Sequence, residues 1–145
     1  MRVLLDSSIF VRAFCNEGGS AYRIVFEIVA SGHTLILCHE ILHEVARVLR
    51  SQRMLRAHCR SEEAVYNYIG LLMEAAEMVQ TDPLIHAPIR DPKDIFVLQT
   101  ALAGDIDVLC SSDRDFFEPP ALLFLQSHGI AALTDVEMIK RLNAE

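Results

Sequence analysis

The stretch that decides the fold is Val3-Leu4-Leu5-Asp6-Ser7-Ser8, an apolar tripeptide followed at once by an acid and two hydroxyl residues. The three apolar residues predict a short strand that is buried in a sheet. A carboxylate directly after a buried strand is costly unless a partner compensates for its lost hydration. We therefore expect Asp6 to lie at the end of the first strand and to have a functional role.

The rest of the chain alternates between strand-like and helix-like apolar spacing. Strands separated by helices predict an α/β fold with a parallel sheet covered on both faces, in which ligands bind at the carboxyl ends of the strands. Further strands are predicted at residues 35–38, 78–80, 107–110 and 130–133. Helices are predicted at residues 21–30, 40–49, 61–76 and 92–104, after Pro119-Pro120, and after a capping box at Thr134 to Glu137.

Length and composition predict one globular domain over residues 1–145. The 145 residues are 52% hydrophobic and 23% charged, which is enough to build a core. The longest apolar run, Ala121 to Leu125, is too short to cross a bilayer. Because Asp6 interrupts the first apolar segment, no export signal is expected either. We therefore expect a cytoplasmic protein with no membrane contact.

The four cysteines lie far apart in the sequence. Cys15, Cys38, Cys59 and Cys110 form no C-x-x-C pair. This spacing argues against a disulfide framework and against a structural zinc site. We expect all four to be small buried hydrophobic residues in a reducing compartment.

Charge is unevenly distributed along the chain. The net charge is −7, yet residues 45–61 contain five arginines and no acid. That segment therefore carries +5 and the remainder carries −12. An acidic protein disfavours nucleic acid as a partner, but a local cationic segment restores that possibility.

Four carboxylates are predicted at one edge of the sheet. They are Asp6, Glu44, Asp94 and Asp113, which follow strands, begin a helix or lie one turn into a helix. Carboxylates in one cleft repel each other unless a cation neutralises them, and oxygen ligands favour Mg²⁺ or Mn²⁺ over zinc. From spacing alone, the acids at 91 and 94 are equally consistent with helix-start residues, and those at 113 and 115 with turn residues.

Four motifs together resemble the PIN-domain nucleases, in particular the VapC-like toxin components of toxin–antitoxin systems. The resemblance spans nearly the whole chain. Each motif is weak alone, but the four occur in the family's order and strand context. They are Val3-Leu4-Leu5-Asp6-Ser7-Ser8, Glu44-Val45-Ala46-Arg47-Val48-Leu49, Arg90-Asp91-Pro92-Lys93-Asp94 and Ser111-Ser112-Asp113-Arg114-Asp115.

The resemblance implies a PIN-like three-layer α/β/α sandwich with a central, mainly parallel sheet. It implies hydrolysis of single-stranded or structured RNA by a water that Mg²⁺ or Mn²⁺ activates. The acids at 6, 44, 94 and 113 would hold the metal. Auxiliary roles would fall to Ser8, Ser111, Asp91 and Asp115. Two residues depart from the pattern, since Ile95 replaces a common Asn and Ser111 a common Thr. A homodimer and an antitoxin protein are also implied.

The resemblance gives the arginine segment a candidate role in RNA binding. The candidates are Arg47, Arg50, Arg53 and Arg56. On one helix, a three-residue step would wind this row around the axis. Some of these arginines are therefore expected to form surface ion pairs instead. With no Trp and three Tyr, we expect phosphate contacts and shape to outweigh base stacking.

Two other functions remain open. His39-Glu40-Ile41-Leu42-His43 matches the H-E-x-x-H pattern of zinc peptidases, with Glu63 as a candidate third ligand. This alternative explains one segment, whereas the metal-dependent nuclease explains four. A catalytically silent PIN-like scaffold that binds RNA or protein is the second alternative. An aspartyl phosphatase fits poorly because it requires D-x-D after the first strand.

Overall fold

The computed structural model describes all 145 residues and contains a five-stranded sheet. The strands lie in the order β3-β2-β1-β4-β5, and every neighbouring pair is parallel. This confirms the predicted parallel α/β sheet. The strands are β1 (Arg2–Leu5), β2 (Thr34–Leu37), β3 (Glu77–Met78), β4 (Val108–Cys110) and β5 (Ala131–Leu133).

Eight α-helices cover the two faces of this sheet. Right-handed crossovers place the connections β1–β2 and β2–β3 on one face and the connections β3–β4 and β4–β5 on the other. The result is the three-layer α/β/α sandwich that the resemblance implied. The helices are α1 (Ser7–Cys15), α2 (Ser20–Ala30), α3 (His39–Leu49), α4 (Gln52–His58), α5 (Glu62–Ala75), α6 (Ile95–Ala103), α7 (Ala121–Ser127) and α8 (Asp135–Ala144).

The first strand lies at the centre of the sheet. Leu4 pairs with Ile36 of β2 on one side and with Leu109 of β4 on the other, and all three side chains are fully buried. A strand covered on both faces needs an uninterrupted apolar run, which the tripeptide at residues 3–5 supplies. Its burial fixes the place where the chain emerges at Asp6.

Helix α1 was not predicted from the sequence. It begins at Ser7, directly after β1, with Asp6 as its N-cap. The Asp6 carboxylate accepts a hydrogen bond from the Ser7 amide at 2.8 Å. Because no linker separates strand from helix, the apolar spacing of this segment merges with that of the strand.

The arginine segment does not form one helix, whereas the predicted end of a helix at Leu49 is confirmed. Helix α3 ends at Leu49, and Ser51 caps a separate helix, α4, through a 3.4 Å hydrogen bond from the Met54 amide. Arg53 and Arg56 therefore lie on a different helix from Arg47. The capping serine between two arginines is the feature of the sequence that marks this break.

Two smaller expectations also differ from the structure. Cys38 and Cys110 are buried as expected, but Cys15 and Cys59 are exposed. Strand β3 is limited to two residues, although the Val79 amide continues the pairing with the Leu37 carbonyl at 2.8 Å.

None of the helices is long and apolar enough to cross a membrane.

Helix α6 packs closely on β2 at Gly104. A Cβ atom at this residue would lie 2.7 Å from Cγ2 of Ile36 and 3.0 Å from the Thr100 carbonyl oxygen. Gly104→Ala should therefore lower the free energy of unfolding by about 1–3 kcal/mol. The matched variant Gly70→Ala, in α5 with no atom within 4 Å of the new Cβ, should raise it by about 1 kcal/mol. Urea unfolding of both variants tests this, and equal effects would contradict the close approach.

Candidate acidic site at the carboxyl edge of the sheet

The central strands β1 and β4 create a crevice at their carboxyl ends. The chain leaves β1 toward β2 and leaves β4 toward β5, so the two connections run in opposite directions. Ligands of open α/β sheets bind at such a reversal of strand order. Asp6 follows β1 here, and residues 111–113 follow β4.

Asp6 is a buried carboxylate without a cationic partner. Only 6% of the residue is exposed. Its Oδ2 accepts a hydrogen bond from Ser111 Oγ at 2.8 Å and a longer one from Ser8 Oγ at 3.4 Å. Burial raises the pKa of Asp6 despite these bonds, and Glu44 and Asp113 raise it further by charge repulsion. A bound cation would relieve both effects.

Serines connect the two sides of the crevice. The fully buried Ser111 donates to Asp6 and accepts a hydrogen bond from the Asp113 amide at 2.9 Å. The hydroxyl groups of Ser8 and Ser112 form a hydrogen bond across the same crevice, with 3.0 Å between their oxygen atoms. Ser8 and Ser111 therefore both contact Asp6, and Ser112 contacts Ser8. Ser112 was not predicted as a site residue, although it directly follows Ser111 after β4.

Three other carboxylates converge near Asp6. Oxygen atoms of Asp94, Asp113 and Asp115 all lie within 4.8 Å of one another. Asp113 caps a 3-10 turn, Arg114–Phe117. Its Oδ1 accepts a hydrogen bond from the Asp115 amide at 3.0 Å. Asp115, expected to be auxiliary, thus belongs to the tightest group of acids, whereas Asp6 and Glu44 lie outside that group of three.

Asp94 joins this group from a separate segment of the chain, before α6. It ends a 3-10 turn, Pro92–Asp94, which precedes α6. Asp91 caps the turn, because its carboxylate accepts a hydrogen bond from the Lys93 amide at 3.0 Å. The predicted helix start is therefore confirmed. The motif at residues 90–94 therefore supplies both a cap, Asp91, and an acid that faces the other carboxylates, Asp94.

The acids act on one another electrostatically. Burial, together with repulsion from Asp6, Asp113, Asp91 and Glu44 in decreasing order, raises the pKa of Asp94 to about 7. The nearest cations do little to offset the charge. Arg90 lies 4.0 Å from Asp115, and its own side chain is 78% exposed. An all-oxygen donor set with unneutralised charge fits a hard divalent cation such as Mg²⁺ or Mn²⁺.

Glu44 stands at the margin of the acidic group. It lies on the second turn of α3, is half-buried, and is 3.8 Å from Arg47. Its charge nevertheless acts on both Asp6 and Asp94. The structure therefore brings the four predicted acids into one electrostatic cluster, with Glu44 at its edge.

The predicted arginines divide into two pairs. Arg47 lines a groove of about 560 Å³ beside Glu44, together with Lys93. Arg50 lies one turn farther along, 3.5 Å from Glu62. Arg53 and Arg56 are exposed on α4, form no ion pair, and do not line that groove. Lys93 was not predicted as a contact, although it lies inside the motif at residues 90–94.

The H-E-x-x-H pattern forms no zinc site. His39 and His43 are exposed on α3, and no third His, Cys, Asp or Glu side chain completes a metal-binding group with them. Glu40 instead accepts a hydrogen bond from Thr81 Oγ1 at 2.8 Å. Glu63, the candidate third ligand, lies at the start of α5. The geometry therefore gives the zinc-peptidase alternative no support.

Comparison with known proteins identifies the family. The chain is similar in fold to a chain in the crystal structure of VapBC2 from Rickettsia felis bound to a DNA fragment from their promoter. The TM-score is 0.62 at 14% identity, covering 92% of this chain and 98% of the other. No curated protein matches the chain. The family model described as PIN domain matches residues 2–115. The chain therefore belongs to the PIN domain family.

Proposed function

We propose that this PIN domain is a Mg²⁺- or Mn²⁺-dependent endoribonuclease. One observation carries the proposal. Asp6, Asp94, Asp113 and Asp115 cluster at the reversal of strand order, and the exposed Arg90 side chain does little to neutralise them. Maintaining such a cluster is unfavourable unless a ligand uses it. Glu44 belongs to the proposed site as the acid at its edge.

The side chains around the cluster have separate proposed roles. A divalent cation bound there would activate a water and offset charge on the phosphate. Ser111 holds Asp6 and the Asp113 amide in fixed positions, so these acids need little rearrangement to bind a cation. Arg47 and Lys93 present positive charge beside Glu44, where RNA phosphates would approach.

The silent scaffold is the less favoured alternative. A scaffold has no need for neighbouring acids that raise the pKa of Asp6 and Asp94, whereas all four acids of the family's motifs stand together here. The serines that orient Asp6 are also in place. These residues favour the enzyme over a protein that only binds RNA.

Asp6→Asn and Asp94→Asn should each lower RNA cleavage by about 100-fold or more, because each removes a charge that would hold the cation. EDTA should abolish cleavage by the wild type. The assay is Mn²⁺-dependent cleavage of a mixed RNA by purified protein, with circular dichroism to verify the fold.

Asp105→Asn is the matched control for these variants. Asp105 is exposed at the amino-terminal edge of the sheet, and its φ of 48° lies in the left-handed region that Asn tolerates. Cleavage by this variant should equal that of the wild type. Undiminished cleavage by both Asp6→Asn and Asp94→Asn would refute the acidic site.

Stability without metal should depend on pH through Asp94. Its pKa of about 7 in the folded protein exceeds the ordinary value of 3.8. The folded state thus binds the proton more tightly, and stability falls as the pH rises from about 4 to about 7. In EDTA, Asp94→Asn should be more stable than the wild type at pH 8, and the difference should vanish near pH 4. Adding Mg²⁺ at pH 8 should stabilise the wild type more than the variant.

Urea unfolding at several pH values measures this effect, with Asp105→Asn again as the control. A wild type that is more stable than Asp94→Asn in EDTA at pH 8 would show that another cation already neutralises the carboxylate. A Mg²⁺ effect of equal size in both proteins would place the cation elsewhere.

The proposal extends to a toxin whose partner is an antitoxin protein, and to a homodimer. The similar Rickettsia felis structure is described as VapBC2 bound to promoter DNA. A groove of about 440 Å³ between α2 and α5 offers an apolar docking surface, with 61% of Phe26 and 65% of Leu71 exposed. We propose the antitoxin as the occupant of this groove, and occupation by a second copy of the chain is the outcome that would contradict the proposal.

Phe26→Glu combined with Leu71→Glu tests the assignment. The double variant should lose binding to a small protein encoded beside it, because charges would be buried in an apolar contact. Its own mass by light scattering should equal that of the wild type. If the substitutions instead halve the mass of the isolated protein, the groove is the dimer interface and the assignment is wrong.

A further inference from the structure

A second groove continues from the acidic site along α3. The groove beside Glu44 is lined by His43, Arg47 and Lys93. The next groove, of about 510 Å³, shares His43 and Arg47 and continues to Arg50 and Tyr66. The two depressions therefore form one continuous surface that starts at Glu44, at the edge of the acidic site, and ends at an aromatic ring.

Basic side chains lie along this surface as it leads away from the acids. Glu44 at its start is paired with Arg47 at 3.8 Å, and Arg50 is 3.5 Å from Glu62, an exposed pair that water screens. Glu40 lines the first groove and is bonded to Thr81. Lys93 contributes a further positive charge near Asp94. A polyanion can therefore follow Lys93, Arg47 and Arg50 away from the carboxylates.

Tyr66 lies at the far end of the surface with its ring in solvent. It belongs to α5, and 51% of the residue is exposed. The Arg50 guanidinium carbon lies 5.0 Å from the centre of its ring. An aromatic ring beside an arginine provides two planar surfaces on which an unpaired base can stack. Because so much of Tyr66 is exposed, it contributes little to the hydrophobic core.

We propose that Arg50 and Tyr66 bind an unpaired base of single-stranded RNA whose backbone runs along α3 from the acidic site. Glu44 and Arg50 are six residues apart, which is about 9 Å along a helix. The platform therefore serves a nucleotide close to the phosphate at the acids. This inference rests on the proposed ribonuclease function and adds to it a binding site for one base of the RNA.

One exposed tyrosine adds base stacking to the phosphate contacts that composition predicts. The sequence contains no Trp and only three Tyr, which argued for phosphate contacts over stacking. Tyr68 is unavailable, since it is mostly buried and its hydroxyl donates to the Phe10 carbonyl at 2.9 Å. Tyr22 lies on α2, away from this surface, and stacks with Phe26. Tyr66 alone among the tyrosines stands beside the arginines of α3.

The test measures binding separately from cleavage. The probe is an unstructured RNA of about ten nucleotides, compared with the same RNA annealed to its complement. In the Asp6→Asn background with Mg²⁺, this RNA should quench part of the tyrosine emission, and the duplex should not. Tyr66→Leu in that background should weaken binding about 5- to 150-fold, and Tyr66→Phe should bind like its parent without the Tyr66 signal.

Tyr22→Leu is the matched control and should leave RNA affinity unchanged. In otherwise wild-type protein, Tyr66→Leu should raise KM for the single strand and leave kcat unaltered. Equal RNA affinity of Tyr66→Leu and its parent, equal losses in Tyr66→Leu and Tyr22→Leu, or no RNA binding would each overturn the platform. Cleavage by the wild type with no effect of Tyr66→Leu would overturn the platform alone, whereas absence of cleavage would count against the nuclease itself.

Discussion

The 2.8 Å hydrogen bond from Ser111 Oγ to Asp6 Oδ2 ties together the ends of the two central strands. It depends on the strand register, in which Leu5 pairs with Cys110 and the Asp6 amide donates to the Cys110 carbonyl at 3.0 Å. The backbone ladder thus sets the next residues, Asp6 and Ser111, opposite each other. Because the centre of the sheet sets this position, the Asp6 carboxylate stays buried although burial disfavours its charged form.

Several acids of the site also cap local structure. Asp6 caps α1, Asp91 caps the turn before α6, and Asp113 caps the turn after β4. Each cap satisfies a backbone amide and offsets part of the repulsion among the carboxylates. The helix-start interpretation and the metal-site interpretation of these residues therefore do not exclude each other. In Asp91 and Asp113, one carboxylate oxygen bonds the backbone and the other accepts no hydrogen bond, whereas Oδ2 of Asp6 accepts bonds from Ser111 and Ser8.

Much of this arrangement could be predicted because it depends on patterns close in sequence. The apolar run before Asp6 predicted the central strand, and Asp91-Pro92 predicted a helix start. The place of Asp115 beside Asp94 could not be predicted, because it depends on how the turn after β4 folds toward α6. The pairing of Tyr66 with Arg50 is likewise a contact between α5 and the end of α3, and no spacing along the chain encodes it.

The strands at the two edges of the sheet are short. Strand β3 has two residues and β5 has three, so each edge exposes few unpaired backbone groups. A second chain could form only a few hydrogen bonds by adding a strand there, and edge-to-edge aggregation is disfavoured for the same reason. Association of this protein with another is therefore left to side chains on its helices, and specificity will be determined by their shape and charge.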